Sequence, residues 1–425
     1  MLLKFSVENF RSIHNKCTLS MIAQGISDEP KYNYAVIGKK KILKTAAIYG
    51  ANSSGKTNII RALGAMTNTV LSSVKLNDGD KLEYDPFRLV ADNNKPSYFE
   101  VMFTIEDTVY KYGFEIDSYK IHGEWLYQST LNARSMKVLF IRTLEGIGVE
   151  ANNFPEGIDK ESMTNTNRLF ISLCAQLGGN ISQQIVSWFK EDLNAISGIY
   201  CQDYLGYSKI MLHKHLEGYD KAINFFKILK LGFNKIETIE NEIDISSFPE
   251  DMPEEMKAQL IQAFKDKKKI DLKSQHNIYD RKGAIIKTDV FDIDDMESEG
   301  TKKLIQLSGP IFNTLTNGAI LAIDELDAKM HPLISQYIVD LFNNPETNPN
   351  NAQLIFTTHD THLLSSSLLR RDQIWFTEKD QMEQTDLYRM MDIELPDGTK
   401  PRNDANFEKN YIKGRYGAVP YIINN

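Results

Sequence analysis

Residues 47–60, AIYGANSSGKTNII, contain the pattern in this chain with the clearest phosphate chemistry. They fit G-x-x-x-x-G-K-[ST], in which backbone N–H groups of a loop and a helix N-terminus contact phosphates. Lys56 can then reach the β- and γ-phosphate oxygens, and the Thr57 hydroxyl can bind Mg²⁺. Kinases, GTPases, motors and DNA-repair clamps share the pattern. The predicted nucleotide-binding residues here are Gly50, Asn52, Ser53, Ser54, Gly55, Lys56, Thr57 and Asn58.

The flanking sequence supplies the structure that such a loop needs. Residues 46–49 form an apolar run that predicts a strand, and residues 58–66 predict a helix with Ile59, Ile60 and Leu63 on one side. Strand, glycine loop and helix are the required order. The sequence therefore favours a phosphate site over a glycine turn that binds nothing.

An acidic pair after a second apolar run predicts the other half of the site. In AILAIDE, residues 319–325, the apolar run ends at Asp324, and Glu325 follows. Asp324 is predicted to hold Mg²⁺ through water, and Glu325 to take a proton from the attacking water. Because 267 residues separate Thr57 from Asp324, more than in simple GTPases and small kinases, we expect a long insertion between the two halves.

A second helix N-terminus lies just ahead of that acidic pair. Ser298 and Gly300 precede residues 302–316, whose Leu304, Leu307, Ile311 and Leu315 predict one apolar helix face that ends at Gly318. A helix N-terminus binds anions. One chain cannot easily aim two helix ends at one γ-phosphate, whereas two chains that face each other head to tail can. The pattern therefore predicts a homodimer that sandwiches ATP.

Two further residues fit such a site. His359 ends the strand-like segment LIFTTHD, where it can contact the γ-phosphate and orient the water. Asp327 follows the predicted base and is placed to respond to a dimer partner. The alternatives are an ordinary strand-end histidine and a metal pair of His359 with His362, for which a third ligand is missing from the pattern.

Composition limits the classes of protein that this chain can belong to. Its 425 residues are 42% hydrophobic and 25% charged, which is typical of a globular protein with about two to three domains. Cys17, Cys174 and Cys201 show no C-x-x-C spacing, and no apolar run of ~18 residues occurs, so we expect a cytoplasmic protein with no membrane partner. The net charge is −8. Lysine runs at residues 39–41 and 267–269 leave contact with nucleic acid open.

Hydrophobic periodicity predicts three regions. Alternation over residues 99–105 and 110–116 predicts a hairpin in a β-rich first third. Beyond it, three groups of apolar residues predict helices, namely Ile181, Ile185, Trp188 and Ile196, then Ala222, Phe226 and Leu229, then Met256, Leu260 and Phe264. The predicted domains are an N-terminal lobe over residues 1–176, a mainly helical arm over 177–275, and a C-terminal lobe over 276–425.

These motifs resemble a known class of ATPases. GANSSGKT, SEGTKK, ILAIDELD and FTTHD resemble the ABC-type ATPase heads of SMC proteins, RecF and OLD-family proteins. RLFISLCAQLGGN, DELDAKMHP, NAQLIFTTHD, RRDQIWF and YIKGRYGAVP narrow the resemblance to the AbiL-like AAA-type ATPases of abortive-infection and anti-phage loci, including the ATPase subunit of the PARIS system. The resemblance implies an α/β fold, an ABC-type P-loop ATPase head with a mixed β lobe, a RecA-like sheet and a mainly helical insertion.

The resemblance also implies cofactors, further residues and partners. It implies ATP and Mg²⁺, with Gln176 as a nucleotide- and magnesium-binding glutamine and Arg11 as a basic residue that touches nucleotide. It places Ser298 and Gly300 on the γ-phosphate of a partner chain. It implies a sensor and scaffold in anti-phage defence that controls a separate effector, which we expect to be a Toprim-type nuclease.

Three other functions are weighed against this one. A RecF- or SMC-like DNA-repair ATPase would bind DNA, but the modest basic content and an arm of about 100 residues count against it. A small-molecule phosphotransferase does not need the Ser298 helix. A self-contained nuclease would use Asp292, Asp294 and Asp295, which fit a polar loop better, and the chain is expected to end with the ATPase and so to leave no room for a Toprim domain.

Overall fold

The computed structural model describes residues 1–26, 30, 32–91, 93–199, 202–242, 253, 256–257 and 268–420. The chain divides into two compact units. The first unit comprises Met1–Ile199 and Thr314–Asn425, and the second comprises Tyr200–Asn313. The predicted third helix at Met256, Leu260 and Phe264 lies almost entirely outside the described residues.

The described strands are β1 (Leu2–Glu8), β2 (Cys17–Ser20), β3 (Tyr34–Ile37), β4 (Lys40–Leu43), β5 (Thr45–Gly50), β6 (Ser97–Ile105), β7 (Thr108–Ile116), β8 (Ile121–Thr130), β9 (Lys137–Thr143), β10 (Gly146–Val149), β11 (Leu193–Ser197), β12 (Lys235–Glu242), β13 (Lys268–Tyr279), β14 (Ile285–Asp292), β15 (Ile320–Asp324), β16 (Gln353–Thr357), β17 (Ile374–Lys379) and β18 (Thr385–Arg389). The described α-helices are α1 (Lys56–Ser72), α2 (Phe170–Gln176), α3 (Asn180–Ser187), α4 (Gln202–Lys214), α5 (Tyr219–Leu229), α6 (Ile293–Met296), α7 (Glu299–Asn317), α8 (Pro332–Asn343) and α9 (Phe407–Ile412).

The first unit contains a sheet of seven antiparallel strands in the order β10-β9-β8-β7-β6-β1-β2. The predicted hairpin is confirmed, because β6 and β7 pair from Ser97 with Ile116 to Ile105 with Thr108. Its tight turn holds Glu106 at a φ of 49°. Alternating apolar residues bury one face of such a sheet, and Phe99, Val101 and Phe103 lie in the core.

A second sheet of the same unit carries the phosphate loop. Its order is β11-β15-β16-β5-β17-β18, and every neighbouring pair except β17 with β18 is parallel. All six residues of β5 are buried, as expected for a strand covered on both faces. Since the carboxyl ends of parallel strands meet at one edge, residues that follow β5, β15 and β16 come together.

A buried carboxylate fixes the start of α2. Glu124 is fully buried and accepts hydrogen bonds from the N–H groups of Phe170 and Ile171 at 2.6 and 3.0 Å, and from the Tyr112 hydroxyl. Arg142 lies 3.7 Å away. Burial raises the pKa of Glu124, and Arg142 opposes that rise. A negatively charged group at a helix N-terminus complements the helix dipole. This contact therefore sets the direction of α2, which ends at Gln176.

The second unit contains a sheet that the sequence analysis did not predict, beside the helices of the expected arm. Its described residues form α4 to α6, most of α7, and an antiparallel sheet in the order β12-β13-β14. The strands are polar, as in KIETIENE over Lys235–Glu242. Strands that bury few side chains show weak alternation, so their period could not be read.

A second difference concerns the helix expected at Ile181, Ile185, Trp188 and Ile196. The helix α3 ends at Ser187, a single π-helical turn covers Trp188–Asp192, and Ile196 lies in β11. Leu193–Ser197 pairs with Ile320–Asp324 in parallel. The sheet therefore overrides a helical spacing that continues from α3 by coincidence.

None of the described helices has the length and apolar character needed to cross a bilayer.

Candidate functional site

An open cleft of about 830 Å³ lies at the edge of the parallel sheet where β5, β15 and β16 end. The glycine loop, the residue after Asp324 and the histidine after β16 share its surface. Its lining residues are Ser12, Asn52, Ser53, Ser54, Gly55, Lys56, Thr57, Asn58, Glu325, His359 and Lys379. The fold thus brings together residues that the sequence analysis assigned to both halves of one nucleotide site.

The glycine loop has the geometry of a phosphate cradle. Gly55 has a φ of 104° and precedes the first residue of α1, and Ser53 has a φ of 65°. At Gly50 a Cβ atom would lie 2.5 Å from the Thr377 carbonyl oxygen. Glycine avoids this clash at residue 50 and adopts the positive φ of residue 55 without strain, and the loop leads into a helix N-terminus, where backbone N–H groups can contact phosphates.

Lys56 occupies the concave side of this loop. Its side chain is buried, and its Nζ donates hydrogen bonds to the carbonyl oxygens of Gly50 and Ala51 at 2.9 and 3.0 Å. Burial lowers the pKa of Lys56, while Asp324 and Glu325 oppose that change. A buried ammonium that binds only neutral carbonyls is well placed to exchange them for an anion.

A shared carboxylate oxygen joins the two halves of the site. Asp324 Oδ1 accepts a hydrogen bond from Thr57 Oγ1 at 3.1 Å and another from Thr357 Oγ1 at 2.7 Å. Oxygen atoms, such as those of hydroxyl and carboxylate groups, are the ligands that Mg²⁺ prefers. A bound Mg²⁺ usually keeps several water ligands beside one or two carboxylates. Among the described residues no group of three or more His, Cys, Asp or Glu is arranged to hold a metal ion. Thr57 and Asp324 fit Mg²⁺ that is shared with phosphate and water.

Thr357 is a site residue that the sequence analysis missed. Its Oγ1 also accepts the N–H of Glu325 at 2.7 Å, and Glu325 itself has a φ of 54°. Residues other than glycine seldom adopt this left-handed conformation. Thr357 therefore holds the metal carboxylate and the predicted base together through one hydroxyl. Its place in the motif TTH, beside His359, was the available signal.

His359 and Asp327 are also brought together. The His359 backbone N–H lies 3.3 Å from both carboxylate oxygens of Asp327. Burial, followed by the Lys56 charge, lowers the pKa of His359. The imidazole is thus held neutral near neutral pH, in the form that can accept a proton or a hydrogen bond.

A hydroxyl network supports the loop from beneath. Thr385 Oγ1 donates to the Ser54 carbonyl oxygen at 2.9 Å and is hydrogen-bonded to Ser12 Oγ at 2.7 Å. Asn58 Nδ2 donates to the same Ser12 oxygen at 2.7 Å. Because 373 residues separate Ser12 from Thr385, local sequence patterns carry no signal for this network.

Seven predicted site residues are not among those that line the cleft. Three of them, Gly50, Asp324 and Asp327, contact residues of the cleft lining. Gln176 is exposed at the end of α2, and Arg11 forms an ion pair with Asp85 at 3.0 Å. Ser298 and Gly300 belong to the second unit, where Ser298 Oγ accepts the N–H of Thr301 at 3.2 Å at the start of α7. The nucleotide and metal roles of all the predicted site residues stay predictions.

Comparison with known proteins identifies the family. A family profile described as "AAA domain, putative AbiEii toxin, Type IV TA system" matches residues 46–170 and 212–365, which is more than half of the chain. The chain belongs to this family. It contains an AAA-type ATPase domain, and its described residues form a mixed α/β structure. No curated protein gives a match in sequence.

Several solved structures are similar to the ATPase. The head of an Smc protein bound to the C-winged helix domain of ScpA has 15% identity and a TM-score of 0.43, with 91% of this chain and 97% of that chain covered. The SMC head domain from Thermotoga maritima has 12% identity and a TM-score of 0.40, with 91% and 98% covered. The recombination mediator RecF with ATPrS has 12% identity and a TM-score of 0.34, with 91% and 98% covered.

Gly198 is a second residue that sequence analysis missed, and it supports the acidic pair. It follows β11, and its N–H donates to the Asp324 carbonyl oxygen at 2.5 Å. A Cβ atom at Gly198 would lie 2.6 Å from that oxygen and closer still to the Glu325 carbonyl oxygen. The turn that carries Glu325 therefore rests directly on the backbone of residue 198.

We predict that Gly198→Ala slows ATP hydrolysis while nucleotide binding is kept. The added methyl group must displace the Glu325 turn, and a shift of about 1 Å costs on the order of 10²-fold in rate. Steady-state phosphate release and binding of a fluorescent ATP analogue measure the two effects. Gly64→Ala is the matched control, because its Cβ would make an ordinary contact of 3.7 Å with Ala195 in the neighbouring β11. Equal rates in both variants would contradict the assignment.

Proposed function

We propose that this chain binds ATP with Mg²⁺ in the cleft and hydrolyses it. The observation that carries the proposal is the pair of hydrogen bonds that Asp324 Oδ1 accepts from Thr57 and Thr357 at 3.1 and 2.7 Å. They bring the phosphate loop to the end of β15, with Glu325 beside it on the cleft surface. This proximity supports in-line attack by water on a γ-phosphate held by Lys56.

Each residue of the cleft has a role in this proposal. The loop from Gly50 to Thr57 binds the phosphates, and Lys56 neutralises charge on the β- and γ-phosphates. Thr57 and Asp324 would hold Mg²⁺, which would supply positive charge against the negative charge that develops on the phosphates. Glu325 accepts the proton of the attacking water, and His359 orients that water.

We predict that Glu325→Gln slows ATP hydrolysis by roughly 10²–10⁴-fold, the usual effect of removing a positioned general base. The amide has the size of the carboxylate but cannot accept the proton, so ATP affinity should stay close to that of the parent. Lys56→Ala is the complementary variant, and it should lower the affinity for ATP itself. Turnover of Glu325→Gln near the parent rate, measured as phosphate release, would exclude Glu325 as the base.

We further propose that two chains dimerise head to tail around two ATP molecules. The support is the N-terminus of α7, a helix of 19 residues, preceded by the exposed Ser298. A long helix directs the positive end of its dipole toward an anion. Ser298 and Gly300 would bind the γ-phosphate held by the partner, and Asp327 would report the partner's presence.

We predict that Ser298→Arg blocks ATP-dependent dimerisation while each monomer still binds ATP. The longer, charged side chain fills the space that a phosphate held by a second chain would need. Light scattering of the slowly hydrolysing Glu325→Gln protein should give a dimer with ATP, which Ser298→Arg abolishes and Ser298→Thr retains. A Ser298→Arg protein that dimerises and hydrolyses ATP normally would refute the trans site.

The biological role that we propose is a sensor and scaffold in anti-phage defence, with a separate effector. Support comes from the sequence resemblance to ATPases of abortive-infection loci and from the family description, which names a toxin and a type IV TA system. The acidic residues Asp292, Asp294 and Asp295 give little support to a nuclease site in this chain. Asp292 forms an ion pair with Lys273 at 2.8 Å and accepts the N–H of Asp294 at 3.0 Å, which caps α6.

We predict that this chain, expressed alone, neither cleaves nucleic acid nor stops growth, and that it co-purifies with an effector encoded beside it, expected to be a Toprim-type nuclease. Growth curves, nuclease assays and size-exclusion chromatography of the co-expressed pair test this. Metal-dependent cleavage that is lost in Asp292→Ala/Asp294→Ala but kept in Lys56→Ala would instead make the chain itself the effector.

A further inference from the structure

The second unit contains a pocket of about 730 Å³ that shares no residue with the ATP cleft. It lies where α5 ends, along the loop to β12 and beside β13. Its lining residues are Tyr219, Ile223, Phe226, Lys227, Lys230, Leu231, Gly232, Phe233, Asn234, Lys235, Ile236 and Gln275. A volume of this size lies within the range of ~300–1,000 Å³ that is usual for small-molecule sites.

The wall of this pocket is apolar and aromatic. Phe226 and Ile236 are buried at 3% and 7% exposure, so they form a fixed floor. Phe233 is only half-buried and packs edge-on against Phe226, with ring centroids 6.0 Å apart and an interplanar angle of 74°. Phe233 therefore presents a ring held in place by Phe226. A flat aromatic group could stack on this ring.

The charged residues that line the pocket have one sign. They are Lys227, Lys230 and Lys235, and the lining includes no Asp or Glu, although the whole chain has a net charge of −8. Lys235 forms an ion pair with Glu237 at 3.6 Å, and Glu237 is not one of the lining residues. A pocket whose charged lining residues are all lysines favours an anion.

Backbone geometry shapes the loop between α5 and β12, which carries Lys230 and Phe233. Lys230 has a φ of 48° and Gly232 a φ of 96°, so the chain turns twice through the left-handed region within three residues. Asn234 then donates its N–H to the Gln275 carbonyl oxygen at 2.7 Å, which anchors the loop to β13. Lys230 and Phe233 are thus presented by a loop that begins at the end of α5 and is anchored to β13, whereas Lys227 belongs to α5.

From these observations we infer that the pocket binds a nucleotide unit, with the base stacked on Phe233 and the phosphate held by Lys227 and Lys230. Aromatic stacking together with lysine contacts to phosphate is the chemistry by which proteins hold unpaired nucleotides. The unit would be either a free mononucleotide or the end of a single strand, because the pocket is too small for a duplex. The two sites have no residue in common, so the pocket can be tested in a chain whose ATP cleft is disabled.

The test uses the full-length Lys56→Ala chain, in which phosphate binding in the ATP cleft is weakened. The probes are a fluorescently labelled, 5′-phosphorylated ten-nucleotide oligo(dT), read by fluorescence anisotropy without Mg²⁺, and unlabelled AMP as competitor. We expect Lys227→Glu/Lys230→Glu and, separately, Phe233→Leu to weaken probe binding by about tenfold or more, the size expected for loss of one stacked base. Phe233→Leu keeps apolar volume and removes only the ring face.

The matched control is Lys282→Glu/Lys287→Glu, which makes the same change in net charge at exposed positions of the same unit. It should change binding less than twofold, and circular dichroism melting should show that each variant is folded. Competition by AMP at an affinity close to that of the strand would identify a free nucleotide as the ligand, and competition by strands alone would identify a strand end. Failure of both probes to bind, or equal weakening by the control, would overturn the inference.

Discussion

The hydrogen bond between Thr57 and Asp324 is the contact on which the ATP site depends. It joins the first residues of α1 to the end of β15 across 267 residues of chain, and it is possible only because β15 and β5 are both parallel to β16 and lie on either side of it. Parallel order puts the carboxyl ends of all three strands on one edge. The insertion between the two motifs can therefore be long without separating the chemistry, because the sheet and not the connecting chain sets the distance.

Local sequence patterns predicted residues that the structure brings to one cleft, whereas they gave no signal for the residues that contact this cleft from distant parts of the chain. The glycine loop and Glu325 could be assigned from strand, loop and acid patterns, and they line one cleft. Ser12 and Thr385 support that cleft from opposite ends of the chain, and no local pattern links them. Gly198 is the clearest example, because its proposed role depends only on the backbone of Asp324 and Glu325, which packs against it.

The burial of side chains explains which strands could be predicted from the sequence. The hairpin of β6 and β7 was predicted because its strands alternate strongly and bury one face. The three strands of the second unit are polar, and the only buried residues among them are Ile236, Leu272 and Ser274, so their sequence resembles a charged helix or loop. Hydrophobic periodicity reports burial, and where a strand buries little it gives a weak signal. Ile196 was assigned to a helix because the helical spacing from α3 continues by chance into β11, an edge strand of the parallel sheet.

The electrostatics of the cleft explain why it suits a polyanion. Burial lowers the pKa of both Lys56 and His359, because the charged form of each is held at a cost in desolvation, and the Lys56 charge lowers the pKa of His359 further. The pKa of His359 is lowered in the folded state, so the unfolded chain binds a proton here more readily than the folded chain does. The contribution of His359 to stability is therefore present at neutral pH and is lost as the pH falls below the ordinary pKa of histidine. A bound triphosphate would reverse both shifts, since negative charge favours the protonated forms. Lys56 would exchange two backbone carbonyls for phosphate oxygens, and binding would be coupled to the release of the loop from its own lysine.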